Sequence, residues 1–332
     1  VSGTLYLQSS KLLFQQLVSM SSTSLLMPPL PLQVADAMYK VVLERIQVDA
    51  SQSPAEQLKQ LLLVSNELTL THVGPDVTLH PVIDGEIVRS KLSSTQWGSA
   101  DVSSVIPGTN WCRRLLIGDC QHDSTIMKPA FLARKAGIAN AFKKSMTNHL
   151  PSTWANNSND STPLQALLEA YNITTETPDD EALTNILQVL NDALFYTPVF
   201  TIAQSFPRRS FVYLFNEPNP WDGPSRGEAV HILDVAFLFQ NFNEHLDAKQ
   251  AESAREFGRD LIAFVNGQEP FPTHDAQAGG AKVYGPPSKA GSAFVKSKDP
   301  ADYGRRSANW QLSQAFGWDN LAFALSLFIA GQ

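Results

Sequence analysis

Apolar residues fall along this chain in two rhythms. Three stretches are short and dense in apolar residues: LFQQLVSM at 13–20, RRLLIGD at 113–119 and SFVYLFNEP at 210–218. Each is bounded by Ser, Gly, Asp or Pro, as expected of strands buried in a sheet. Elsewhere the spacing is helical. Val34, Met38, Val42 and Ile46 recur every four residues, and SPAEQLKQLLL follows with Ser51 or Ser53 placed to cap it. Leu183, Ile186, Leu187, Leu190 and Leu194 make one apolar face, as do Ala251, Ala254, Phe257, Leu261 and Phe264, with Gly267 placed to end the second helix. LTLTHV at 68–73 and PVIDG at 81–85 predict short extended pieces. Residues 128–206 read as mainly helical, an insertion within one domain spanning 1–332, since no Pro/Gly/Ser linker divides the chain. Strands separated by long helical stretches predict an α/β sheet with crossover helices.

Composition narrows this picture. The 332 residues are 43% hydrophobic, enough for a large core, and the net charge of −7 gives no reason to seek nucleic acid, which needs clustered Lys/Arg. The pairs Arg113-Arg114, Lys143-Lys144 and Arg208-Arg209 predict solvated surface. No unbroken apolar run reaches the length of a transmembrane segment, and VSGTLYLQSS lacks the regions of a signal peptide. The first residue is Val, so residues upstream are expected. Cys112 and Cys120 could form a bridge or remain thiols, and Asn156, Asn159 and Asn172 begin sequons, which leaves the compartment open. Neither His72 with His80 nor Cys112 and Cys120 with His122 has standard zinc spacing, and no dinucleotide or phosphate loop occurs. No metal or cofactor is expected.

One short motif invites a reaction. GPSRG at 223–227 fits Gly-x-Ser-x-Gly, the turn that presents a nucleophilic serine in many hydrolases, and His231 follows six residues after Ser225. That turn needs a strand running in and a helix running out. NEPNPWD supplies neither, and the order serine, acid, histidine is not kept. Ser225 therefore reads as a chance match.

Five other segments, which fall along the chain in the family's order, resemble the type B carboxylesterases, the family of cholinesterases and some fungal lipases. PVIDGE at 81–86 is similar to a landmark ahead of the acid-bearing strand. LLIGDCQHDS at 115–124 is similar to the family's Leu-Ile-Gly-x-Asn-x-Asp-Glu-Gly, which places Asp123 at the triad acid, with Asp119 as the other choice of register. The departures are Cys120, His122, Asp123 and Ser124. AVHILDVAFLFQ at 229–240 resembles the segment of the catalytic histidine: His231 takes that position, Asp234 the following acidic one and Phe239 the aromatic, while Ile232 replaces Gly. LFQQLVSMSS resembles the segment ending Gln-Ser-Gly, with Ser21 on that serine as a partner of the acid. REFGRDLIAFVNGQEP is similar to a late helix and Asn-Gly turn.

The resemblance implies an α/β-hydrolase fold, here the later part of its mostly parallel sheet with crossover and cap helices. It implies hydrolysis of a small-molecule or lipid carboxylic ester through an acyl-enzyme. His231 would be the general base and acid, and Asp123 the group orienting it. VSGTLYLQ is similar to the helix after Gly-Glu-Ser-Ala-Gly, so the nucleophile is expected about four residues before Val1, in the same chain or on an N-terminal fragment that partners it. PNPW and LFYTPVF would help line an apolar pocket. The alternative is a non-catalytic binding or adhesion protein of the same fold, or an inactive truncated fragment; a chain lacking the upstream strand would expose an apolar sheet edge.

Overall fold

A computed structural model describes residue 5 and residues 13–73, 77, 80–88, 90, 93–99, 101–152, 162–287, 291–306 and 317–332. The segment 1–12, apart from Leu5, and the sequons at Asn156 and Asn159 lie outside the described residues.

The sheet has five strands in sequential order: β1 (Gln16–Met20), β2 (Arg114–Cys120), β3 (Arg209–Phe215), β4 (Ala281–Tyr284) and β5 (Ser292–Val295). The first four run parallel; β5 turns back antiparallel to β4. All seven residues of β2 are buried. Their side chains alternate between the two faces, as the pleat requires. Leu115 and Ile117 of β2, Val212 and Leu214 of β3, and Ala281 and Val283 of β4 join one core. Leu116 and Cys120, then Phe211, Tyr213 and Phe215, then Tyr284 join the other.

Helices α1 (Leu32–Ile46), α2 (Pro54–Leu63) and α3 (Asn66–Val73) precede β2. Ser53 caps α2, accepting from Glu56 N at 3.3 Å. The segment LTLTHV is therefore helical in α3 and not extended. Thr71 Oγ1 donates to Glu67 O at 2.8 Å, and Arg45 of α1 donates to Val73 O, so docking against α1 overrides an alternating sequence of weak propensity. PVIDG does supply a two-residue strand, Val82–Ile83, paired with Leu30–Pro31.

Helices α4 (Ile138–His149), α5 (Asp179–Asn191), α6 (Thr197–Ser205) and α9 (Trp318–Ile329) pack on the first core. Helices α7 (Leu233–Leu238) and α8 (Ala248–Val265) cover the second, with Leu233, Phe237, Ala254, Phe257 and Phe264 buried. Asp247 caps α8 through Lys249 N and Gln250 N, and Gly267 beyond its end takes φ +80°. α5 and α6 run on through Asp192–Tyr196 as one helix, Asp179–Ser205, long and apolar enough by length and composition to cross a membrane. Asn185, Gln188, Asn191 and Asp192 interrupt its apolar residues, so it holds no unbroken apolar run of that length. Its most apolar window is 89% buried in this protein, as in a core helix.

One basic pair also departs from expectation. Arg114 is buried, not solvated. It donates to Gln16 Oε1 at 2.8 Å and Phe264 O at 3.1 Å, and lies 4.8 Å over the Phe264 ring. It thus satisfies a carbonyl in the last turn of α8, where a cation is favoured.

Candidate active site

The site is built where β2 and β3 end. After Phe215 the chain makes a long excursion and returns at Ala229. His122 N then donates to Ala229 O at 2.9 Å, and His122 pairs with Val230 in a single parallel bridge. The next residue on each side is Asp123 and His231. Pairing beyond the strand ends thus sets a carboxylate beside an imidazole across 108 residues of sequence.

His231 Nδ1 lies 2.7 Å from Asp123 Oδ1. The other carboxylate oxygen accepts from Cys120 N at 2.8 Å. Asp123 is fully buried, while the His231 side chain keeps 23% of its surface. Burial raises the Asp123 pKa, against the hydrogen bond and charge of His231, Ser21 and Cys120 N, which favour the carboxylate. Burial pulls His231 down, but Asp123 outweighs it through hydrogen bond and charge, so the imidazole is held above its ordinary value. Ser21 follows β1 with φ +47°, its N donating to Gly118 O at 2.8 Å. Its hydroxyl stands near enough to favour the Asp123 carboxylate yet falls short of a full hydrogen bond.

Asp119, the other register, faces elsewhere: Arg305 Nη2 donates to its Oδ1 at 3.0 Å. Asp234 opens α7 and accepts from Tyr213 OH at 2.8 Å; burial first, then the charge of Asp123, pushes it up to about 6. Ile232 occupies φ +70°, a region that favours glycine. The ring of Phe195 stands 6.1 Å from that of His231, edge to face. Ser225 sits in a turn between Gly223 and Gly227, its carbonyl accepting from Glu228 N; β3 has ended at Phe215 and α7 has not begun. Phe239 is exposed. Burial holds His122 down at about 4. Cys112 and Cys120 are both free and stand at opposite ends of β2.

An apolar pocket of about 320 Å³ is lined by Leu25, Leu26, Met127, Leu194, Trp318 and Phe323 among others. Leu25, Met127 and Leu194 belong to the segments that carry Ser21, Asp123 and Phe195. Of the two stretches expected to line such a pocket, LFYTPVF contributes Leu194; PNPW lies away from it, with Trp221 against Phe242 at 5.8 Å.

Sequence reasoning did not single out Arg305 or Tyr213, and it named Phe195 only within the stretch LFYTPVF. No local motif marks them; Arg305 reaches Asp119 from 186 residues away.

A mostly parallel sheet, helices on both faces and a His–carboxylate pair on the loops after adjacent strands define an α/β-hydrolase fold. The chain belongs to the carboxylesterase family, whose sequence profile matches residues 1–283. Among solved structures, it is similar to the Geobacillus stearothermophilus carboxylesterase EST55 at 16% identity, TM-score 0.59, over 91% of this chain and 60% of that one. A PNB esterase matches at 14% identity, TM-score 0.58, over 91% and 60%, and a thermophilic PNB esterase at 12%, TM-score 0.56, over 91% and 59%. The chain thus spans about three fifths of the length of these structures. No curated protein matches it.

Proposed function

We propose that this chain carries the histidine and acid of a carboxylic-ester hydrolase. The observation that supports this most directly is the 2.7 Å contact between His231 Nδ1 and Asp123 Oδ1. A carboxylate on Nδ1 fixes the proton there, which leaves Nε2 as the base. His231 takes the proton of a serine hydroxyl as that oxygen attacks the ester carbonyl. It returns the proton to the leaving alcohol, and repeats the cycle with water to release the acid. Asp123 holds the ring orientation and stabilises the imidazolium. The serine is proposed to come from residues upstream of Val1. The pocket bounded by Leu25, Met127 and Leu194 suits an apolar acyl or alkoxy group.

The test is labelling of the full-length protein with a fluorophosphonate probe. Wild type and Ser225→Ala should be labelled at a serine outside 1–332, and His231→Ala should lower labelling and ester turnover by about a thousandfold or more. No labelling of wild type would favour the binding-protein reading; loss of labelling in Ser225→Ala would make GPSRG the nucleophile turn.

A further inference from the structure

A second cavity, of about 230 Å³, has an aromatic wall. Tyr196 and Phe200, one helical turn apart, have ring centroids 4.7 Å apart, and Phe200 meets His274 edge-on at 5.5 Å. His274 N donates to Ser210 O at 2.8 Å, at the start of β3. Asp123 and His231 lie past the other ends of the strands, so the two sites are separate.

The polar groups of this cavity have defined roles. His274 Nδ1 lies 2.9 Å from Gly280 O. A carbonyl can only accept, so Nδ1 carries the proton and Nε2 presents a lone pair. Burial holds the His274 pKa below its ordinary value, which keeps the ring neutral at physiological pH. The Tyr196 hydroxyl makes no hydrogen bond among the described residues and keeps its donor available. Asp275 and Lys298 place one charge of each sign on the lining, so neither cation nor anion is favoured. The frame is tight. Gly279 has φ +73°, and a Cβ there would stand 1.8 Å from Ser297 O.

We propose that this cavity binds an uncharged single-ring phenol. The ring packs on Phe200 and Tyr196. The phenol O–H donates to His274 Nε2, and its oxygen accepts from the Tyr196 hydroxyl. A cavity of about 150 Å³ holds benzene, so this one accommodates the ring, its hydroxyl and one small substituent. Toluene would leave both polar groups unpaired, and anisole would leave Nε2 without a donor, each a loss of about tenfold or more.

The experiment titrates the full-length protein with phenol, anisole and toluene, read by calorimetry and by long-range ¹H–¹⁵N spectra of its histidines. Free His274 should show the Nδ1-protonated tautomer. Phenol should bind one to one and shift His274 Nε2 while leaving His231 in place, and toluene and anisole should bind at least tenfold more weakly. His274→Phe should bring phenol down to the level of toluene. If that variant does not fold, the three ligands on the unmodified protein still decide. Equal binding of phenol and toluene, an Nε2-protonated His274, or a shift at His231 in place of His274 would each overturn the proposal.

Discussion

Arg305→Met should destabilise the fold by an amount that grows with pH. Arg305 and Asp119 are both buried, and the guanidinium also donates to Asn216 Oδ1. Burial pushes Asp119 up to about 7 even with Arg305 attached. A carboxyl raised in this way holds its proton more tightly folded than unfolded. The contribution of Asp119 to stability therefore falls as pH rises from about 4 to 7 in the wild type. Without Arg305 the Asp119 pKa rises further and the decline continues above 7, at about 1.4 kcal/mol per pH unit. At pH 6 the carboxyl is mostly protonated in both proteins, so the variant loses only hydrogen bonds, about 1–2 kcal/mol. At pH 9, two units of continued decline add about 3 kcal/mol, which brings the total to the upper end of the 3–5 kcal/mol (about) typical of a broken buried pair. Urea unfolding at pH 6, 7, 8 and 9, followed by tryptophan fluorescence, measures this directly. Asp119→Leu with Arg305→Met should recover much of the loss and abolish its pH dependence, because no buried charge is left unpaired. An equal loss at pH 6 and pH 9 for Arg305→Met, or a double variant no more stable than the single one at pH 9, would refute the reasoning.

Three further outcomes are expected. The His231 imidazole should titrate above about 6.5 by NMR and below that value in Asp123→Asn, because burial, the largest influence on it, is then opposed only by the charge of Asp234; the stability that the pair lends is present below the unfolded pKa and lost as pH rises through the folded one. Ile232→Gly should raise stability by about 0.5–1 kcal/mol in urea titration, since it relieves a β-branched residue at φ +70°, less the chain entropy of glycine. Gly118→Ala should cost about 1–3 kcal/mol or more, because a Cβ there would lie 2.3 Å from Tyr213 O and 2.4 Å from its ring; a neutral effect in thermal melts would contradict the close approach of β2 and β3.

The strands legible in the sequence were those whose apolar runs are buried on both faces. β2 and β3 fit this, with limits displaced by one to three residues, and β1 begins three residues later than its run. β4 and β5 went unread. Each has four residues, and β4 contains Lys282, whose charge hides the pattern. That lysine is satisfied by Glu256 of α8, a partner the local sequence does not reveal. Contact with α1 likewise turned LTLTHV into a helix. At the site, Asp123 and His231 could be named only through the order of motifs. The bridge between His122 and Val230 that sets them side by side depends on a return of the chain after Phe215, which no spacing predicts. Arg305 and Tyr213 carry no signature of their own, since their roles come from what the fold places against them.

The widened turn Asp192–Tyr196 shows how backbone bonding can shape both pockets. Thr197 N donates to Asp192 O, five residues back, which is the π pattern. The next donor in that pattern would be residue 198, but Pro198 has no N–H. Ala193 O is thereby left without a helical partner in a buried setting, where an unpaired carbonyl is costly. The indole of Trp318 fills the vacancy, donating Nε1 to Ala193 O from the start of α9. One proline thus accounts for both the docking of α9 and the position of three consecutive side chains. Leu194 lines the apolar pocket, Phe195 meets His231, and Tyr196 faces the cavity of Phe200 and His274. A regular α-helical turn would rotate these residues relative to α5 and would leave Pro198 in conflict with the carbonyl of Leu194. The π turn is therefore a requirement of the sequence around Pro198 as much as of the site.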